Sequence, residues 1–162
     1  MTTPQNETPA ERPSAGMLAR IVGSGLFTGY APFATGTVGS AAAAAFFLLL
    51  PDFQNPFILL PATVLLFVVG GIAAGRLEAE HGQDPAVVTV DEFVGMWLSL
   101  WFIEPTVMNI GLAFVIFRVL DILKPYPAGV FDRRSGGWNI MLDDVIAGVY
   151  TNIILQIALR WT

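Results

Sequence analysis

Two pairs of adjacent acidic residues are the strongest candidates for chemistry. Asp91 and Glu92 lie between two apolar runs, and Asp143 and Asp144 come directly before the uncharged run 145–159. Adjacent carboxylates repel each other when both are ionised, and a bound cation relieves that repulsion. A single carboxylate at this position can also cap a helix. With one histidine and no cysteine in the chain, oxygen ligands predominate, which favours Mg²⁺.

Basic residues accompany a further acid in the segment 118–127. Arg118, Asp121 and Lys124 advance by three residues, so on a helix they would share one face. Such a face can be a solvated salt-bridge stripe. It can also bind a phosphate while Asp121 contributes to the metal site. Arg133 lies further on in a glycine-rich loop, where it is a second candidate for anion binding.

The segment 35–40, TGTVGS, opens an apolar stretch and is rich in hydrogen-bond donors. Thr37 and Ser40 supply hydroxyls, and the glycines allow close approach of the backbone at a helix start. The segment lacks the lysine of a P-loop. It therefore indicates either a phosphate cradle or a simple glycine-containing helix start.

Composition excludes several classes of site. The chain has 162 residues, 54% of them hydrophobic and 13% charged, with a net charge of −5 and no cysteine. Disulfides, thiolate nucleophiles and cysteine-bound zinc are therefore excluded, as is any site that needs two imidazoles. A net negative chain with eight basic residues is not expected to bind nucleic acid. The length suits one domain.

The hydropathy pattern predicts an all-α polytopic membrane bundle. Turn signals at 51–56 and 104–106 divide the apolar sequence, and five apolar helices result, some of them short or tilted. They are predicted at about 38–50, 57–75, 91–103, 107–123 and 145–159. Residues 1–16 are polar and rich in proline, which predicts a disordered tail ahead of a single helical domain over 17–162.

The distribution of charge predicts the orientation in the membrane. If each helix crosses and the tail is cytoplasmic, Arg160 is the basic residue left outside, and the other basic residues lie inside. The two acidic pairs then lie at the cytoplasmic face of a multi-pass protein. Two alternatives remain. One is a soluble all-α phosphatase with the same site, and the other is a non-catalytic membrane protein such as a cation transport subunit, whose acids would lie at different depths.

Six short motifs, in order over roughly 20–160, resemble the bacterial phosphatidylglycerophosphatase A family. They are GTVGS, DEFVGMW, FRVLDILKPYP, FDR, GG and IMLDDVIAG. The resemblance implies a Mg²⁺-dependent membrane phosphatase that converts phosphatidylglycerophosphate to phosphatidylglycerol and phosphate in phospholipid synthesis, at the inner membrane. Many members of the family have proline where this chain has Thr35.

The resemblance also implies roles for the candidate residues. The metal-binding set would be Asp91, Glu92, Asp121, Asp143 and Asp144. Phosphate would be bound by Arg118, Lys124 and Arg133, with Thr37 and Ser40 as further donors. Catalysis would depend on Asp91, Lys124, Asp143 and Asp144.

Three questions of mechanism stay open at this point. Either carboxylate of the pair Asp143 and Asp144 could be the general base, and a phospho-aspartyl intermediate is the alternative. Asp132 could be a metal ligand or a partner of Arg133. Lipid phosphatases with a cysteine nucleophile or with two catalytic histidines are excluded by the composition.

Overall fold

A computed structural model describes residues 13–160, and over that range the protein is all-α. The helices are α1 (Met17–Gly23), α2 (Thr35–Leu49), α3 (Pro56–His81), α4 (Val90–Ser99), α5 (Val107–Leu123), α6 (Ala128–Asp132) and α7 (Gly137–Arg160). Two short 3₁₀ turns cover Thr28–Tyr30 and Pro51–Gln54. The predicted tail falls mostly on residues outside the described range, so the boundary at 16 stays a prediction.

Helices are present at all five predicted places, as α2 to α5 and α7, but two of them are longer than expected. The helix predicted at 57–75 continues to His81, because the segment after Gly75 consists mainly of good helix formers. It ends where Gly82 takes a positive φ of 105°. The helix predicted at 145–159 begins at Gly137, since no proline interrupts the intervening residues.

Two helices, α3 and α7, are long and apolar enough to cross a membrane. The expectation of five spans is not confirmed, because α4 has ten residues and covers only about 15 Å. In their most apolar windows, 33% of α3 and 44% of α7 is buried inside the protein. A core helix of a soluble protein would be mostly buried. The exposed apolar surface therefore favours association with a membrane.

Helix α4 is central to the packing, and its residues are almost all buried. It lies against α2, α3 and α7. The indole Nε1 of Trp97 donates to the Ala43 carbonyl at 3.1 Å, which joins α4 to α2. On the α7 side, Gly95 and Gly148 face each other, so the two backbones come closer than side chains would allow. Their packing sets the position of the acids on both helices.

We predict that Gly148→Ala destabilises the protein. A Cβ there would lie 2.4 Å from the Gly95 carbonyl oxygen, and such overpacking costs about 1–3 kcal/mol of the free energy of unfolding. Gly111→Ala on α5 is the matched control, because its Cβ would meet nothing within 4 Å. Thermal unfolding in detergent, followed by circular dichroism, should show a lower Tm for the first variant only. Equal Tm values would contradict the close approach.

Candidate active site

Four helices meet at one end of the protein and bring the predicted polar residues together. Glu92, at the start of α4, is buried and accepts a hydrogen bond from Ser40 Oγ at 2.6 Å. It also forms an ion pair with Arg118 of α5. The Ser40 hydroxyl therefore donates to the Glu92 carboxylate, and it is not available as the phosphate donor that was predicted. The N-terminal part of α2 and the end of α5 are linked through this one acid.

Arg118 pairs with two acids. Besides Glu92, its Nη1 lies 3.1 Å from Asp121 Oδ2, one turn further along α5. The Arg118 side chain is only 15% exposed. Gly36 lies against this group, since a Cβ at that position would be 2.1 Å from Glu92 Oε1 and 3.1 Å from Arg118 Nη1. A Cβ at position 36 would therefore force the Glu92 carboxylate to shift from its present place beside Arg118.

Three carboxylates form a compact group beside this ion pair. One oxygen each from Asp121, Asp143 and Asp144 lies within 4.8 Å of the others. Both Asp143 and Asp144 are buried, two turns inside α7 and not at its start as expected. Asp144 Oδ2 is buried with no hydrogen-bond partner among the described residues. An all-oxygen set with an unsatisfied acceptor fits a hard divalent cation.

Asp91 borders the three carboxylates without being one of the compact group. Its Oδ1 accepts from the Glu92 backbone N–H at 2.9 Å. Its charge interacts with those of Asp143 and Asp121. The predicted metal set of five acids thus divides geometrically. Three are clustered, Asp91 lies beside them, and Glu92 is occupied by Arg118 and Ser40.

Lys124 differs from the prediction that it shares a helix face with Arg118. Helix α5 ends at Leu123, and Lys124 takes a left-handed conformation with φ 46°. This turn directs its Nζ to Asp132 and to Asp143 Oδ2, the latter at 2.7 Å. Burial disfavours the charged ammonium, but the hydrogen bonds that it donates to the two carboxylates outweigh this effect and raise the pKa of Lys124. Asp132, whose role was open, is thus a partner of Lys124.

Two predicted phosphate-binding residues lie outside this network. Arg133 is exposed and makes no ion pair within the range 13–160. Thr37 is exposed and lines a cavity of about 570 Å³. The cavity is bounded by Gly29, by the loop 31–34, by the start of α2 and by Arg118. Arg118 therefore connects the cavity to the carboxylates.

The sequence did not single out two residues that the structure places at the site. Gly36 was grouped only with its segment, although it is the residue in contact with the ion pair. Asp84, in the loop before α4, interacts electrostatically with Lys124, Asp132 and Asp121. Its positive φ of 43° is common for Asp in turns, and an Asp-Pro dipeptide was the one signal in the sequence.

Comparison with known proteins assigns the sequence to a family. A family profile described as Phosphatidylglycerophosphatase A matches residues 21–159. The chain belongs to the phosphatidylglycerophosphatase A family. It is therefore an enzyme of the phosphatase class, and the resemblance seen in the motifs is confirmed. No solved structure matches the chain.

Three relatives align over most of their length. Proteins named phosphatidylglycerophosphatase A from Escherichia coli and Haemophilus influenzae are each 35% identical to the chain. The alignments cover 83% and 90% of this chain and 80% and 88% of those proteins. A Bacteroides thetaiotaomicron protein is 39% identical, over 93% of this chain and 98% of its own. Its name proposes phosphatidylinositol-3-phosphatase activity.

We predict that Gly36→Ala lowers phosphatase activity about 100-fold, the scale expected when catalytic groups move by an ångström. The added Cβ would displace the Glu92 carboxylate from Arg118. Gly75→Ala is the control, since its nearest neighbours would be in ordinary contact at 3.7 Å and 3.9 Å. The measurement is kcat/KM of the purified proteins in detergent micelles. A Gly36→Ala enzyme with unchanged kcat/KM would show that the pair is not needed.

Proposed function

We propose that the chain hydrolyses phosphatidylglycerophosphate to phosphatidylglycerol and phosphate, using Mg²⁺ at the cytoplasmic face of the bacterial inner membrane. The observation that carries this proposal is the group Asp121, Asp143 and Asp144 lying directly beside Arg118 and Lys124. Carboxylates that could bind a hard cation and basic groups that could bind a phosphoryl group thus lie next to each other. The family and the relatives from Escherichia coli and Haemophilus influenzae support the substrate.

Asp121, Asp143 and Asp144 would hold the metal ion, and Asp91 and Glu92 lie next to them on α4. When bound, a divalent cation neutralises phosphoryl oxygens and promotes formation of the attacking hydroxide. These residues fit such a cation because their donors are all oxygen atoms, and because Asp144 Oδ2 is buried without a hydrogen-bond partner in the part of the chain that the structure describes. Three carboxylates this close would otherwise repel each other strongly.

The protein's own side chains bind the phosphoryl group and transfer the proton. Arg118 and Lys124 bind the phosphoryl oxygens and stabilise the negative charge that develops on them. A carboxylate of the pair Asp143 and Asp144 accepts a proton from the attacking water. The new bond joins the water oxygen to phosphorus, and the bond from phosphorus to the glycerol oxygen breaks. The proton that the carboxylate took up then passes to the departing glycerol oxygen, so the products are phosphatidylglycerol and inorganic phosphate.

A second candidate substrate is phosphatidylinositol 3-phosphate. It is favoured by the Bacteroides thetaiotaomicron relative, which is 39% identical over nearly the full length of both chains. Both lipids present a phosphomonoester on a membrane-anchored headgroup, so the same carboxylates and basic groups would act on either. Phosphate release from each lipid, measured side by side with purified protein, decides between them. A higher kcat/KM for the inositol lipid would overturn the proposed substrate.

We predict that Asp121→Asn and Asp144→Asn each lower kcat at least about 100-fold. The reason is that each removes a charged ligand from the proposed metal site. Asp52→Asn, in the 3₁₀ turn before α3, is the control and should retain full activity. An excess of chelator should abolish phosphate release, and added Mg²⁺ should restore it.

A binding measurement separates the metal from the reaction. Mn²⁺ can be used as a spectroscopic probe, and electron paramagnetic resonance should show weaker binding to the Asp144→Asn protein than to the Asp52→Asn protein. Activity that persists in chelator, or equal Mn²⁺ binding by the two variants, would refute the proposed site.

The proposed orientation can be tested because the chain contains no cysteine. Asp52 lies near the start of α3, whereas the Gly136 N–H donates to Glu78 near its end, so Ser135 belongs to the opposite end. With Asp52→Cys and Ser135→Cys, a membrane-impermeant thiol reagent should label only the first in intact spheroplasts. It should label the second in inverted vesicles. The reverse pattern would place the site outside.

A further inference from the structure

An apolar groove runs along α3 and α4 next to the candidate active site. Its inner part is a cavity of about 150 Å³ enclosed by residues of the first four helices and their connections. Its outer part is a cavity of about 310 Å³ against α3. Val22, Leu66 and Trp97 border both cavities, so the two parts adjoin. Within residues 13–160, no charged side chain and no hydroxyl lines either part.

The groove starts at the same end of α4 as the acids. Val90, Phe93 and Trp97 line it, at spacings that put them on one side of the helix. Glu92 contacts α2 and α5 instead. Along α3 the groove extends from Val69 back to Ala62, which is about 10 Å of helix. It finishes at Phe53, in the turn that precedes α3.

One short segment, residues 25–29, lies between the groove and the cavity that reaches Arg118. Gly25 and Leu26 line the groove, and Gly29 lines the cavity of about 570 Å³. A molecule that passes over this segment could therefore place an apolar part on one side and a phosphorylated part on the other. A phospholipid has this division between chain and headgroup.

We propose that the groove binds one acyl chain of the phosphorylated lipid substrate, an inference that rests on the proposed function. In a bilayer, moving a chain from other lipids into an apolar groove gains little from the hydrophobic effect. The groove would instead fix the direction of the chain, and so hold the headgroup against Arg118 and the carboxylates. Lipids without a phosphomonoester would lack this second attachment and would occupy the groove less.

The test uses a photoactivatable lipid. Phosphatidylglycerophosphate with a diazirine on one acyl chain is mixed with the wild-type protein in phosphatidylcholine nanodiscs, in excess chelator so that the probe keeps its phosphate. The sample is irradiated, and labelled residues are mapped by mass spectrometry. Label is expected on residues 62–69 of α3 and 93–97 of α4. The same chains on a choline headgroup should label these residues about tenfold less, if the headgroup attachment contributes the affinity of one good charged hydrogen bond.

Tryptophan substitutions test whether the labelled acyl chain lies in the groove. Leu66→Trp narrows both parts, so labelling by the phosphorylated probe should fall about tenfold, the scale of steric overpacking. Leu65→Trp should act in the same direction. Leu65 lines the outer part and is 65% exposed, so we expect its replacement to leave the packing inside the protein intact. Val68→Trp is the matched control, because Val68 is exposed on the same helix and borders neither part. Its labelling should match that of the wild type.

The outcomes separate this proposal from the proposed function. Equal labelling by the choline probe, or no effect of Leu66→Trp and Leu65→Trp, would show bulk lipid in the groove and overturn the inference. Phosphate release is measured in parallel samples to which Mg²⁺ is added. Hydrolysis without labelling of the groove would overturn the inference alone. Labelling specific to the phosphorylated probe without hydrolysis would support the groove and refute the proposed reaction.

Discussion

Repulsion among carboxylates at the junction of α4, α5 and α7 is the constraint on which the structure depends. Five acidic side chains converge there, namely Asp91, Glu92, Asp121, Asp143 and Asp144. Burying like charges is costly unless each is paired. Arg118 offsets the negative charge of these acids from one side, and Lys124 offsets it from the other. Two basic side chains leave this group with an excess of negative charge, which the proposed divalent cation would reduce.

The helices contact each other through their backbones and not through bulky side chains, and this close packing brings the charged side chains together. Gly95 and Gly148 let α4 approach α7, so their acids face a common space. Gly36 lets the start of α2 lie against the Glu92–Arg118 pair. Each contact leaves no room for a Cβ. The charges can therefore meet only because small residues occur where these helices cross, and packing and electrostatics constrain the same positions.

The sequence predicted much of this arrangement, and the failures have physical causes. Apolar runs placed all five main helices, and the adjacent acids identified the carboxylate group. Local pattern ended the predicted helix at 123, but it could not show which acids Lys124 would pair with, because Asp132 and Asp143 lie 8 and 19 residues further along the chain. Nor could it show that α7 starts at Gly137, since polar residues between Gly137 and Val145 concealed a helix that continues. The domain boundary and the metal ligands stay predictions.

The depth of the acids explains why the surrounding loops matter. Asp143 is the seventh residue of α7, about 9 Å along the helix from its first residue. Charges at such a depth are tolerated only where neighbouring elements shield them from lipid. The turn after α5 supplies Lys124, and the loop before α4 supplies Asp84. In the proposed reaction a headgroup would descend past these polar segments to reach the carboxylates, while the exposed apolar faces of α3 and α7 would be available to lipid chains. The geometry that makes the acids costly to bury would then also separate the place for phosphate from the place for the tails.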